Sequence, residues 1–230
     1  MTVKITPQSD NFLLIGENKG LLLRVSCAER LTQYNRDRKL LDLDLQLYRG
    51  FTAAQDITSL HPIIDKLAGH YGLRAGAPIL RDARIAPTLA QYLTEIRSLP
   101  DADINSIGAI SQQFYKLREL FSKALERNKP FPEVSLSKLL HFVHPGSFWL
   151  LDSRVENILD IWGYPTNGYP TKFAFGGFGK LLEDLFRDPE FESFRTFLIQ
   201  KDGELVSSLS NPFLKLLDKL LWPNWSFVKS

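Results

Sequence analysis

The chain has 230 residues, 44% of them apolar and 23% charged, with a net charge of +2 and a pI near 8.6. These values exclude a disordered, collagen-like or coiled-coil chain and allow a sizeable core, which we expect to be one compact unit. They neither demand nor exclude an anionic partner. Cys27 is the single cysteine, so the chain can form neither an intrachain disulfide nor a thiolate metal cluster. The start "MTVKITPQSD" has no basic region followed by an apolar core, and no run of about 18 uncharged apolar residues occurs. The expected setting is therefore intracellular and cytoplasmic, away from membranes.

In chain order, the runs "NFLLI" and "LLLRV" flank "GENKG", whose glycines and asparagine suit a tight turn, and predict a β-hairpin from Phe12 to Val25. From there the periodicity is helical. "AERLTQYNRDRKLLDLDLQLY" places Leu31, Tyr34, Leu41, Leu45 and Tyr48 at helical spacing, and "HPIIDKLAGHYG" ends in a glycine suited to a C-terminal cap. "GLRAGAPILRDARIAP" reads as a surface loop before a helix that begins near Pro87; its arginines Arg74, Arg81 and Arg84 suit either a phosphate contact or an ordinary connector.

"INSIGAISQQFYKLRELFSKALERN" carries Ile107, Ile110, Phe114, Leu117, Leu120, Phe121 and Leu125 at the spacing of a central core helix. Between Lys66 and Lys129 there are ten Lys/Arg against six Asp/Glu, a basic bias that suits a solvated helix face or an anionic partner. Prolines break the pattern at "NKPFPEVS". Three further helical patterns follow the loop "GYPTNGYPTKF": "GGFGKLLEDLF", "PEFESFRTFLIQ" and "NPFLKLLDKLLW", each bounded by Gly or Pro. "FAFGGFGK" has no preceding strand and reads as a bend and helix start. The expected fold is mainly α, with a small N-terminal β element over residues 1–27 and a helical core over residues 28–230.

Two charges stand out in the apolar stretch "SLSKLLHFVHPGSFWLLDSRVENIL". "PEVSLSKLLHFV" predicts a short helix with Ser135 or Ser137 near its start, which would put Lys138 in the first turn. The positive end of the helix dipole disfavours a cation there, so Lys138 either reaches solvent or points at an anion. Asp152 suits the N-cap of the helix that carries Val155, Ile158, Leu159 and Trp162. Because it follows "FWLL", its carboxylate could also be partly desolvated and act as a base or electrostatic stabiliser.

This arrangement, a lysine-bearing helix, an apolar connection and then D-S-R-V-x-N-I-L, resembles the helix-hairpin-helix and 8-oxoguanine-glycosylase-like DNA glycosylases over residues 132–163. The resemblance implies a monomeric, cofactor-free DNA N-glycosylase that flips a damaged or modified base out of duplex DNA and excises it. By analogy the modified base could be that of phage DNA, in antiviral defence. Asp152 would be the catalytic carboxylate, stabilising the developing oxocarbenium ion. Lys138 would be the nucleophile of a bifunctional enzyme or an electrostatic partner. Trp149, Phe148, His141, Tyr164 and Gln112 would line the base pocket, and Ser135, Ser137, Arg154, Arg81 and Arg84 would contact DNA.

The family's hairpin glycines are missing from "PEVSLSK", and the step from Lys138 to Asp152 is shorter than the family's. The aromatic residues suit core packing as well as a pocket, and His141 and His144 suit satisfied buried imidazoles. No phosphate loop, nucleophile elbow or zinc helix occurs, and four histidines without paired cysteines predict no metal. The alternative is a non-catalytic module that binds nucleic acid or protein through Arg74, Arg81, Arg84 and the Lys116 to Lys129 helix.

Overall fold

The computed structural model describes residues 3–18, 21–70, 77–164, 174–202 and 209–221. Three antiparallel strands, β1 (Lys4–Gln8), β2 (Asn11–Asn18) and β3 (Leu21–Ser26), form a sheet in the order β1-β2-β3. The expected hairpin is the β2-β3 pair, while its turn residues 19 and 20 lie outside the described residues. The β1 strand was not expected, because "KITPQ" has one aliphatic residue and a proline, a pattern that only an edge position tolerates. Register places Ile5 opposite Leu14 and Leu14 opposite Val25. All three are buried, and this row gives the sheet its single apolar face.

Eleven helices follow among the described residues: α1 (Cys27–Asn35), α2 (Arg38–Ala53), α3 (Ile57–His70), α4 (Ala77–Leu80), α5 (Ile85–Arg97), α6 (Ile107–Ala124), α7 (Glu133–Val143), α8 (Ser153–Ile161), α9 (Ala174–Arg187), α10 (Phe191–Lys201) and α11 (Phe213–Leu221). The fold is thus mainly α with a small N-terminal sheet. Asp37 divides the first long helical pattern: its side chain accepts from the Leu40 N–H at 3.1 Å and starts α2. The glycine expected to cap α3, Gly72, and the loop arginine Arg74 fall outside the described residues.

α6 buries one face, through Ile107, Ile110, Phe114, Leu117 and Phe121. The centrally placed helices are instead α7, buried at every position but Val134, and α11, buried throughout. α2 packs on α7, and α11 packs on α1 and α8. Buried apolar residues from Val3 to Leu221 form one contiguous cluster. Among the described residues, no helix is long and apolar enough to cross a membrane.

Candidate functional site

The α7 helix does not begin as its serines suggest. Pro132 occupies the N-cap without a side-chain bond, and the helix starts at Glu133. Glu133 accepts from Arg118 at 2.8 Å and from the Phe175 N–H at 3.2 Å, tying the first turn of α7 to α6 and α9. Ser135 and Ser137 therefore sit inside the helix, both buried, in the interior of the protein and not on a phosphate-facing surface. Lys138 lies in the second turn, beyond the strongest part of the helix dipole.

Ser137 has a different task. Its hydroxyl donates to the Val134 carbonyl at 3.1 Å and accepts from the Leu151 N–H at 3.1 Å. That second bond holds the residue before Asp152 against the residue before Lys138, and so fixes the two charged positions relative to each other. Asp152 caps α8, its Oδ1 accepting from the N–H groups of Arg154 and Val155 at 2.9 Å each. The cap leaves the carboxylate half-buried.

Lys138 is only 6% exposed. Burial pulls its pKa below the ordinary lysine value; the carboxylates of Asp152 and then Asp218 oppose that pull, and Lys215 and Arg154 add to it. The lysine and aspartate singled out in the sequence thus share one electrostatic site, with a neutral amine more accessible than at the surface.

Behind them lies a buried polar network that the sequence did not reveal. Lys215, fully buried on α11, bonds Asp44 of α2 at 3.0 Å, Asp218 at 2.9 Å and the Tyr34 hydroxyl at 3.0 Å. Tyr34 in turn donates to Asp44 at 2.7 Å. Burial works to discharge Lys215, but Asp218 and Asp44 outweigh it and raise its pKa. Burial raises the Asp218 pKa; Lys215 opposes this, and Asp152 reinforces it. Lys219, one helical step further on, pairs with Asp202 and donates to Asn35 at 2.8 Å.

His141 links α7 to the same region. Its Nδ1 faces the Phe148 carbonyl at 2.6 Å and its Nε2 faces the Tyr48 hydroxyl at 2.5 Å. A carbonyl can only accept, so Nδ1 carries the proton and the bare Nε2 accepts from Tyr48. Burial, reinforced by Lys215, pushes the imidazole pKa down to about 3. His141 is a neutral bracket.

The remaining candidates scatter. Phe148 and Trp149 are fully buried. Trp149 stacks on Phe175 at 4.0 Å, and Phe175 stacks on Phe114 at 3.6 Å. Phe148 meets Phe175 at a tilt, 6.4 Å between centroids, so these rings pack into the core and not around an open base pocket. Tyr164 is committed at the sheet, donating to Asp184 at 2.5 Å and accepting from the Val3 N–H at 3.2 Å. Trp162 covers Gly16 of β2. Gln112 is exposed on α6, whereas Gln113 donates to Glu95 at 2.9 Å.

Arg154, at the start of α8, acts on Lys138 from beside the Asp152 cap. Arg84 instead forks onto Asp82 at 2.9 and 2.8 Å, Arg81 lies 3.7 Å from Asp65, and Lys116 lies 2.8 Å from Glu95. The basic bias of this region is thus partly met by neighbouring carboxylates. Among the described residues, no group of three or more His, Cys, Asp or Glu could hold a metal ion.

The site therefore defines a class by its chemistry: a half-buried, helix-capping carboxylate coupled to a buried lysine. No family model matches the chain, and neither a curated protein nor a solved structure matches it at a significant level.

Proposed function

We propose that the protein is a DNA N-glycosylase that excises a damaged or modified base, with Asp152 as catalytic carboxylate and Lys138 as the amine beside it. The observation that carries this reading is the coupling of a buried lysine of lowered pKa to the half-buried Asp152. Breaking the bond between sugar C1′ and the base leaves positive charge on the sugar, and a fixed carboxylate lowers the energy of that charge. The displaced base leaves with the bonding electron pair and takes up a proton. A neutral Lys138 amine can then bond to C1′ and lose a proton; breaking the C1′–O4′ bond, with a proton taken up by O4′, opens the sugar ring and leaves a Schiff base, whereas without the amine, water adds to C1′, loses a proton and leaves an abasic site.

Purified protein is incubated with DNA duplexes carrying uracil, 8-oxoguanine, alkylated purines, hydroxymethylcytosine or glucosylated hydroxymethylcytosine. Half of each sample is treated with borohydride and half with hot alkali. The expected result is strand breakage on one substrate, abolished in Asp152→Asn although that variant folds and binds DNA. A borohydride-trapped complex lost in Lys138→Ala makes the lysine the nucleophile, and alkali-dependent breaks without a trapped complex make the enzyme monofunctional. Full activity in Asp152→Asn rejects the reading.

One observation favours a second reading, a non-catalytic module that binds nucleic acid or protein. Phe148, Trp149 and His141 are wholly committed to core packing and internal hydrogen bonds, so the charged network can serve the fold alone. That module would bind DNA with affinity falling steeply as salt rises and yield no strand product on any substrate.

A further inference from the structure

Two carboxyls share the ammonium of Lys215. Its Nζ lies 3.0 Å from Oδ2 of Asp44 on α2 and 2.9 Å from Oδ2 of Asp218, one turn further along α11. The Lys215 and Asp44 side chains are wholly buried, and Asp218 is 3% exposed. Lys219, the next cation on α11, is taken by Asp202 and by Asn35 at 2.8 Å. With both carboxyls ionised, the Asp44, Lys215 and Asp218 triad would hold one negative charge in excess. Like charges that share a buried site do not both ionise readily, and binding a proton removes the excess.

Hydrogen bonds decide which carboxyl takes that proton. Oδ2 of Asp44 accepts from Lys215 and from the Tyr34 hydroxyl at 2.7 Å, two donors that favour its ionised form. Asp218 accepts from Lys215, with no second donor among the described residues. Tyr34 also accepts from Lys215 at 3.0 Å, so these three bonds match the three N–H groups of the ammonium. Oδ1 of Asp44 is buried without a hydrogen-bond partner among the described residues. Donors are therefore already short, and a second ionised carboxyl would add to the shortage.

We propose that Asp218 is a buried carboxylic acid that keeps its proton at neutral pH, and that this proton holds α11 in its seat against α1 and α2. The site is independent of the glycosylase reading. The titratable groups around it are Tyr34 from α1, Tyr48 from α2, Lys138 and the neutral His141 from α7, and Asp152 and Arg154 from α8. Lys219 and Asp202, where α11 meets the end of α10, complete the set. On α3, which packs on α2, His61 and Asp65 are exposed and Lys66 donates to Gln46. Burial raises the Asp218 pKa; Lys215 opposes this, and Asp152 and Asp44 add to the rise. An unfolded aspartate ionises near about pH 4. Stability from the Asp218 proton is thus complete below that value and is lost as pH rises through the folded midpoint, where the triad becomes negative.

The test is carbon-13 NMR of DNA-free protein labelled at the aspartate Cγ, titrated from about pH 4 to about pH 9. One signal, missing in Asp218→Asn, should keep its un-ionised position at pH 7 and move only above it. Ionisation of every aspartate by pH 6, as expected were Lys138 to neutralise Asp218, overturns the proposal, and so does a late signal that persists in Asp218→Asn. In Asp44→Asn the competing anion is gone, and the late midpoint should fall by about one pH unit; an unmoved midpoint means that the two carboxyls do not share Lys215 and also overturns it. Should Asp218→Asn not fold, the late signal of the parent and its fall in Asp44→Asn are read alone. The asparagine mimics the un-ionised acid, so the urea midpoint of the parent should drop relative to that of folded Asp218→Asn between pH 6 and pH 9. Curves that stay parallel overturn the role of the proton in seating α11.

Discussion

Single positions in this protein carry two kinds of constraint, steric and electrostatic. Gly16 illustrates the first: a Cβ built there would stand 2.2 Å from Cδ1 of the buried Trp162 ring. No side chain but hydrogen fits between β2 and the indole. Gly16→Ala should therefore cost about 1–3 kcal/mol, the usual penalty of overpacking a core, read as a fall in the midpoint of urea unfolding. A variant as stable as the parent would mean that the Trp162 ring shifts freely. Cys27 illustrates the second, since burial raises its thiol pKa and leaves it a small core hydrophobe.

Between elements, a few polar bonds decide how the helices meet. Ser137 joins α7 to the connection that leads into α8 by accepting from Leu151 at 3.1 Å. Ser137→Ala would leave that buried N–H without its partner and should destabilise the protein by about 1–3 kcal/mol. Because the same bond fixes the backbone at Leu151 relative to Ser137, and with it the neighbouring Asp152 and Lys138, the proposed glycosylase activity should also fall in folded Ser137→Ala. Stability and activity both unchanged would show that apolar packing alone fixes the α7 to α8 step. Glu133 does comparable work at the other end of α7, where Arg118 and the Phe175 N–H share its carboxylate.

For the molecule as a whole, the neutral His141 makes stability depend on pH. The unfolded chain binds a proton at this ring below about pH 6.5, whereas the folded protein resists doing so down to about 3. Stability from this group is thus complete above pH 6.5 and is lost as pH falls towards 3, by about 2 kcal/mol at pH 5. Urea unfolding at pH 8 and pH 5 measures it, with His141→Gln expected to show a smaller loss between the two. An equal loss in both proteins would mean that the imidazole is not held neutral.

Local sequence signals determined much of this protein. Apolar runs about a turn, helical periodicity and N-cap chemistry marked in turn the β2-β3 hairpin, the buried face of α6 and the start of α8 at Asp152, because each depends on neighbours a few residues away. The same local reading placed Lys138 one turn too early: it assigned a serine cap to α7, while the chain turned at Pro132 and anchored Glu133 on α6 and α9. It also missed Asp44, Lys215, Asp218 and Lys219, since charges three and four residues apart on a helix look like a solvent face until another helix covers them. Only the tertiary structure decided that α11 lies inside, that its charges are paired across α1 and α2, and that Lys138 and Asp152 belong to one field. Burial and long-range charge pairing act between residues far apart in the chain, and no spacing within the sequence encodes them directly.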